Sequence, residues 1–430
     1  MASLTEDVLE LIFRLAYEFD WNEVDVEREL ERRRLLHSAS LVCRGWSAAA
    51  TAALSETIIV RRVGDFGAIE RAVESGALRL ERVQELVLDE GRARQHDVED
   101  AAWEEIEWDY AGPVDRVAMR DAMLDIAWDM VENVLFAFSA ASYRLVSALP
   151  RLRQVRTAFA ATVARSEEPW PVRRLAIGDL CDEDAPDAAT SPDEQLWDAL
   201  IGWSELVALS VLCLSVLEHG IDPVPHALCA QLEELRLGVG DGRPSSLAED
   251  GESGLRLRGY LFAGPTPRLQ RLDLRVHGKC RLRPDRDDDD DDDDEGSADS
   301  WPSIIFGHED EPGFTPDLER VVIGWPAQAL DFDGLARLIE AWPVTARELG
   351  IVIGAGPRGE RHEEVTYVAD VLDVLNSTLD VDRGNASGLT RLELDFGGGF
   401  ERDAGAVPAW VTLQATCEAR GVELVLIEGL

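Results

Sequence analysis

The spacing of apolar positions along this chain changes once, near residue 60. Before that point Val8, Leu11, Ile12, Leu15 and Phe19 recur at three- and four-residue steps, which predicts an amphipathic helix of about four turns. Ser3 and Glu6 fit a capping box at its start, and Glu6 with Asp7 suits the positive end of the helix dipole. The segment 20–34 is dense in Glu and Arg; opposite charges four apart would hold a solvated helix there, with a loop as the other reading. Leu35, Leu36, Ala39, Val42, Cys43 and Trp46 form a second apolar stripe, residues 48–54 continue helically, and Thr57-Ile58-Ile59-Val60 turns β-like. Residues 1–62 are therefore expected to form a compact helical module.

Beyond residue 63 a different motif takes over: two apolar residues spaced two apart, usually with a third apolar residue three positions ahead. It recurs at Val83/Leu86/Leu88, Val172/Leu175/Ile177, Leu206/Leu209/Val211, Leu232/Leu235/Leu237, Leu269/Leu272/Leu274 and Leu318/Val321/Ile323. Near the end come Leu349/Ile351/Ile353, Leu389/Leu392/Leu394 and Val422/Leu424/Leu426. Such alternation is what a half-buried strand requires. Helical patterns separate the strands at 193–203, 332–342, 365–379 and 407–420, and the longest covers 117–149. Strand and helix alternating at intervals of roughly 25–45 residues predict an α/β solenoid of leucine-rich type over 63–430, with strands on one face and helices on the other. The repeats are degenerate, since the asparagine that usually follows the strand is absent.

Charge refines this picture. The chain has 430 residues with 42 basic and 84 acidic side chains, a formal net charge of −42, and its only lysine is Lys279. That balance speaks against binding to nucleic acid, which needs clustered cations, and against docking on anionic membranes. No run of eighteen apolar residues is present, and Glu6 and Asp7 stand where a secretory signal needs basic residues. Six cysteines without a CxxC pair read as reduced thiols, so a cytoplasmic or nuclear setting is expected. Asp287–Asp294 is an unbroken aspartate run, and the segment 284–300 is expected to be a disordered acidic loop interrupting the array. Its readings are a solvated spacer or a docking tail for a basic protein; the spaced ligands and glycine of a calcium loop are missing. A second acidic stretch, 97–109, carries Trp103 and Trp108 and reads as an exposed or partner-binding loop.

Little in the chain points to chemistry. Gly354-Ala-Gly356-Pro-Arg-Gly359 follows a strand as a dinucleotide-binding turn would. However, Pro357 and the charged stretch after it delay the helix, and the strand belongs to the repeat series. Cys213, His219, His226 and Cys229 lack the short ligand pairs of a zinc site. No GxSxG or HExxH occurs. The chain is accordingly expected to be no enzyme, with no catalytic residue, no metal and no cofactor.

The N-terminal module resembles the F-box, in the form common among fungal F-box-like proteins. The residues carrying the resemblance are Leu4-Thr-Glu-Asp-Val8-Leu9-Glu-Leu-Ile12-Phe13 and, after the charged insert, Leu35-Leu-His-Ser-Ala-Ser-Leu41-Val42-Cys43-Arg-Gly-Trp46. The match spans about 55 residues. It departs from the family at Leu4-Thr5, where Leu-Pro is usual; threonine can cap the helix in place of proline. The resemblance implies docking on the Skp adaptor of a cullin–RING ubiquitin ligase through Leu4, Val8, Leu9, Ile12, Phe13, Leu41, Val42 and Trp46, with the downstream repeats selecting a protein substrate. The other reading is a leucine-rich interaction scaffold whose box no longer docks. The substrate-binding residues remain unknown at this stage; polar strand positions such as Arg236, Asp273, Arg275, Glu393 and Asp395 are candidates, and the acidity points to a basic protein segment as target.

Overall fold

A computed structural model of the chain describes residues 26–89, 138–159, 163, 169–179, 192–215, 224–240, 254–257, 262–277, 281–284, 317–326, 332–354, 361–379, 386–396 and 408–427. The helices are α1 (Val26–Ser40), α2 (Arg44–Leu54), α3 (Val63–Glu74), α4 (Pro192–Leu200), α5 (His226–Cys229), α6 (Phe332–Glu340), α7 (Arg361–Thr378) and α8 (Pro408–Arg420). Residues 138–148 are also helical. The strands are β1 (Thr57–Val60), β2 (Glu85–Leu88), β3 (Gln154–Phe159), β4 (Arg174–Asp179), β5 (Ala208–Ser215), β6 (Glu234–Gly240), β7 (Gly254–Leu257), β8 (Arg271–His277), β9 (Arg281–Pro284), β10 (Arg320–Pro326), β11 (Glu348–Gly354), β12 (Arg391–Asp395) and β13 (Glu423–Leu426).

The fold is α/β. Its main sheet has eleven strands in the order β1-β2-β3-β4-β5-β6-β8-β10-β11-β12-β13, while β7 and β9 form a separate parallel pair. All described pairings in the main sheet are parallel. Apart from the intervening β7 and β9, neighbours in the sheet are thus neighbours in sequence, the order that a chain adding one strand per repeat produces. The chain divides into two compact units, one comprising Met1–Leu180, Asp198–Leu206 and Ser210–Leu212 and the other the rest.

One backbone device repeats in both units and sets the strand register. In the first, the Glu56 carbonyl accepts from the amides of Gln84 and Glu85, Gln84 from Arg153 and Gln154, and Arg153 from Arg173 and Arg174. In the second, Val207 accepts from Glu233 and Glu234, Glu233 from Gln270 and Arg271, Gln270 from Glu319 and Arg320, Glu319 from Arg347 and Glu348, and Arg347 from Thr390 and Arg391. One carbonyl therefore satisfies two successive amides of the next repeat, immediately before β2–β4, β6, β8 and β10–β12 begin.

The leading apolar residue of the motif lies beneath this turn. Val83, Val172, Leu206, Leu232, Leu269, Leu318, Leu389 and Val422 are all buried, and Ala346 takes the place before β11. In β1–β6, β8 and β10–β12 the second and fourth residues complete the core, as with Leu235 and Leu237, Leu272 and Leu274, or Leu392 and Leu394. In the second unit α6 packs beside α7 and α7 beside α8. Apolar residues spaced three or four apart on these helices are buried, for example Leu335, Leu338 and Ile339 on α6 and Val371, Leu372 and Leu375 on α7. In the first unit Trp170 stacks on Trp203 with centroids 5.3 Å apart, and Phe66 of α3 meets Phe138 edge-on at 5.2 Å.

Several elements differ from the sequence reading. β3 is a further repeat: Leu152, Val155 and Thr157 are buried in the places of the motif, and threonine in the last of them disguises it. The pairs β7–β9 and helix α3 carry no clear period and are not anticipated. Helix α7 begins at Arg361, four residues before its apolar pattern, so the charged stretch after the glycine turn partly belongs to the helix. The predicted helix at 117–149 falls within the described residues only at 138–149, of which 138–148 are helical, and the acidic segments 97–109 and 285–300 lie outside them.

Candidate interaction surfaces

The first surface is the corner between α1 and α2. Helix α1 ends where Ser38 and Ser40 donate their hydroxyls to the carbonyls of Arg34 and His37, and Leu41 and Val42 close a tight turn through amides to Ser38 and Ala39. Cys43 then turns to extended backbone and α2 begins, with the Cys43 carbonyl accepting from Ser47. The two helices pack through Leu36 against Ala49, Ala50 and Ala53; such small side chains on α2 permit a close approach. The stripe read from the sequence as one apolar face is thereby split. Leu36 is buried, while Leu35, Leu41, Val42 and Trp46 are exposed by 51%, 75%, 64% and 36%. Four large apolar side chains left in water around one turn form the kind of patch that marks an interaction site.

Of the residues implied by the F-box resemblance, Leu41, Val42 and Trp46 lie at this corner and are open to solvent. Leu4, Val8, Leu9, Ile12 and Phe13 lie outside the described residues.

The charged insert ahead of the corner is helical from Val26, but it is not solvated throughout. Glu29 of α1 is fully buried and Arg32 nearly so. Arg32 Nη1 donates to Glu29 Oε1 at 2.9 Å, and Arg156 Nη2 of β3 lies 3.6 Å from Glu29 Oε2. Arg156 Nε in turn stands 2.8 Å from Glu85 Oε1 on β2, which also accepts from Gln154 Nε2 at 3.0 Å. Thr57 Oγ1 donates to Glu85 Oε2 at 3.0 Å, and Arg33 Nη1 reaches the Thr57 carbonyl of β1 at 2.8 Å. Burial pushes the Glu29 carboxyl above its usual range, with Arg32 and Arg156 pulling the other way.

The second surface belongs to the second unit: the strand face opposite the leucines. The register places Arg236, Asp273, Val322, Gly350 and Glu393 on one rung. Gly238, Arg275, Gly324, Val352 and Asp395 lie on a second. All five polar candidates from the sequence thus fall on two adjacent rungs of one face. The carboxylates of Asp273 and Glu393 are compensated. Asp273 takes a two-pronged contact from Arg275, at 3.0 and 3.1 Å, and lies 3.4 Å from Arg236 Nε. Glu393 accepts from Arg391 Nε at 2.8 Å and from Arg320 Nη2 at 2.6 Å. The latter bond crosses the intervening strand β11, which has a glycine, Gly350, on that rung.

The weaker chemical motifs gain nothing from the structure. His226 is exposed, whereas Cys229 is buried with its Sγ 3.2 Å from the Val224 carbonyl, and burial raises its thiol to about 11. Among the described residues no group of three or more His, Cys, Asp or Glu is placed to hold a metal ion. The glycine turn beyond Gly354 lies outside the described residues. Among the described residues no helix is long and apolar enough to cross a membrane. No known family profile and no curated protein matches this chain.

Proposed function

We propose that this chain is a substrate-recognition subunit of an SCF-type ubiquitin ligase. Its N-terminal helices dock on a Skp-type adaptor, and through it on a cullin, while a leucine-rich-type strand array holds a target protein. In this reading the chain is itself non-catalytic and works in the cytosol or nucleus. The observation that carries the proposal is the open apolar corner. Leu41, Val42 and Trp46, the most specific part of the F-box-like string, project into water where a monomer gains nothing from exposing them. The sequential parallel sheet supports the second half, since one strand face carries polar side chains on two adjacent rungs, of which Asp273, Arg275 and Asp395 are partly exposed while Arg236 and Glu393 are buried.

Co-expression of the full chain with a recombinant Skp-type adaptor tests this reading. The wild type is expected to retain the adaptor through purification. Leu41→Asp and Val42→Asp are each expected to weaken capture by about tenfold or more, as loss of an interface anchor does. Both side chains are solvent-exposed, so the fold should survive and circular dichroism should not change. Failure of the wild type to capture the adaptor would sink the ligase role and leave an interaction scaffold.

A further inference from the structure

We propose that Glu29, Arg33 and Arg156 are positioning residues that set the angle at which helix α1 leaves strands β1–β3. That this angle presents the α1–α2 corner to an adaptor rests on the ligase reading; the geometric part stands without it. Glu29 and Arg33 are four residues apart, so both project from one face of α1, one turn from each other. Arg33 is anchored on β1 through the Thr57 carbonyl at 2.8 Å, and Glu29 meets Arg156 of β3 at 3.6 Å. Glu85 of β2 links the two anchors, because it accepts from Thr57 and faces Arg156 Nε at 2.8 Å. Two contacts along the helix, tied to different strands by a third residue, fix a direction as well as a position.

The choice of charged groups supports this reading. Arg156 and Glu29 are fully withdrawn from water, with side-chain exposures of 2% and 1%. Burial dominates the balance at Glu29 even beside Arg32 and Arg156, so ionising this carboxyl is disfavoured in the fold. Buried ionic groups whose net contribution is small or unfavourable act instead by penalising every other arrangement, since a shifted helix strands unpaired charges. An apolar contact of the same area would tolerate sliding and rotation. The apolar core of the corner, Leu36 with Ala49, Ala50 and Ala53, lies between α1 and α2 and so holds the corner itself together.

Spin labels test the proposal on the full chain. One label goes on exposed Cys43 and the other on Arg173→Cys, an exposed position just before β4, with Cys181, Cys213 and Cys280 replaced by serine. Cys229 and Cys417 are buried, with thiols raised to about 11, and should stay unlabelled. Wild-type contacts should give one narrow distance distribution. The triple variant Glu29→Met/Arg33→Met/Arg156→Met should broaden or shift it while its thermal midpoint stays level or rises. An unchanged distribution would overturn the proposal. So would a lowered midpoint with no change in distance, since that outcome assigns the cluster to stability alone. Should the triple variant fail to fold, Arg33→Met alone removes one anchor and should shift the distance by a smaller amount; no shift there also overturns the proposal. Adaptor capture by the unlabelled wild type is scored separately: its absence removes the ligase reading and leaves the positioning result intact.

Discussion

Glu29 is the side chain at which local and tertiary forces disagree most. In sequence it is one glutamate in an alternating Glu/Arg stretch that reads as solvated. In the fold it is fully buried, and desolvation raises its pKa against the pull of Arg32 and Arg156. For a carboxyl raised on folding, the native state holds the proton more tightly than the unfolded chain does. Its stabilising contribution is therefore complete below the ordinary value of about 4.5 and is lost as pH rises through the higher folded value. Glu29→Gln mimics the protonated form at every pH. Relative to this variant, wild type should lose stability between pH 5 and pH 8, read from urea midpoints at both. A wild type that instead gains on the variant over that range would mean that the arginines outweigh burial.

At the scale of elements, the repeat is built from a leading apolar residue, a turn whose carbonyl accepts two amides, and a strand with alternating faces. The apolar residues are legible in the sequence because leucine, isoleucine or valine fills them nearly every time. β3 escapes because Thr157 occupies a buried apolar place, and a strand with one apolar residue fewer resembles a loop. α1 is legible as a possible helix but not as a buried one, since periodicity of charge does not reveal which charges pair across space. Turn chemistry is similarly hidden. Gly388, just before β12, approaches the backbone of Val344 so closely that a Cβ would lie 2.3 Å from the Val344 carbonyl oxygen. Backbone cannot yield as a side-chain tip can, so Gly388→Ala should cost at least about 1–3 kcal/mol, the range of overpacked sites. Urea denaturation checks this, and a loss below about 0.5 kcal/mol, the level of an ordinary surface change, would show that the turn relaxes freely.

For the whole molecule, the dominant physical fact is the net charge of −42. The described strand face of the second unit does not express that excess, because Asp273 and Glu393 are each held by arginines. Segment 285–299 contributes −10, from eleven acids and Arg286. A basic target is therefore better matched by the aspartate run than by the paired ions of the two rungs. Replacing Asp287–Asp294 with alternating serine and glycine should weaken capture of a core-histone mixture by the full chain, and raising the salt should do the same to wild type. Capture that is equal in both proteins would leave the run as a spacer.

The sequence alone determined that strands recur in order and, for most strands of the main sheet, which residues are buried. It also placed Arg236, Asp273, Arg275, Glu393 and Asp395 at polar strand positions, because the two-residue period of a strand is a local property of the chain. Only the tertiary structure decided which of those positions share a rung, since register depends on the turn carbonyls of a neighbouring repeat. It alone separated Leu36 from Leu35, Leu41, Val42 and Trp46 within one apolar stripe, because the break at residues 41–43 redirects the chain and lets one leucine in while leaving the others out. And it alone took Glu29 out of water: burial of a charge is decided by what lies across from it, and Arg156 stands 127 positions further along the chain.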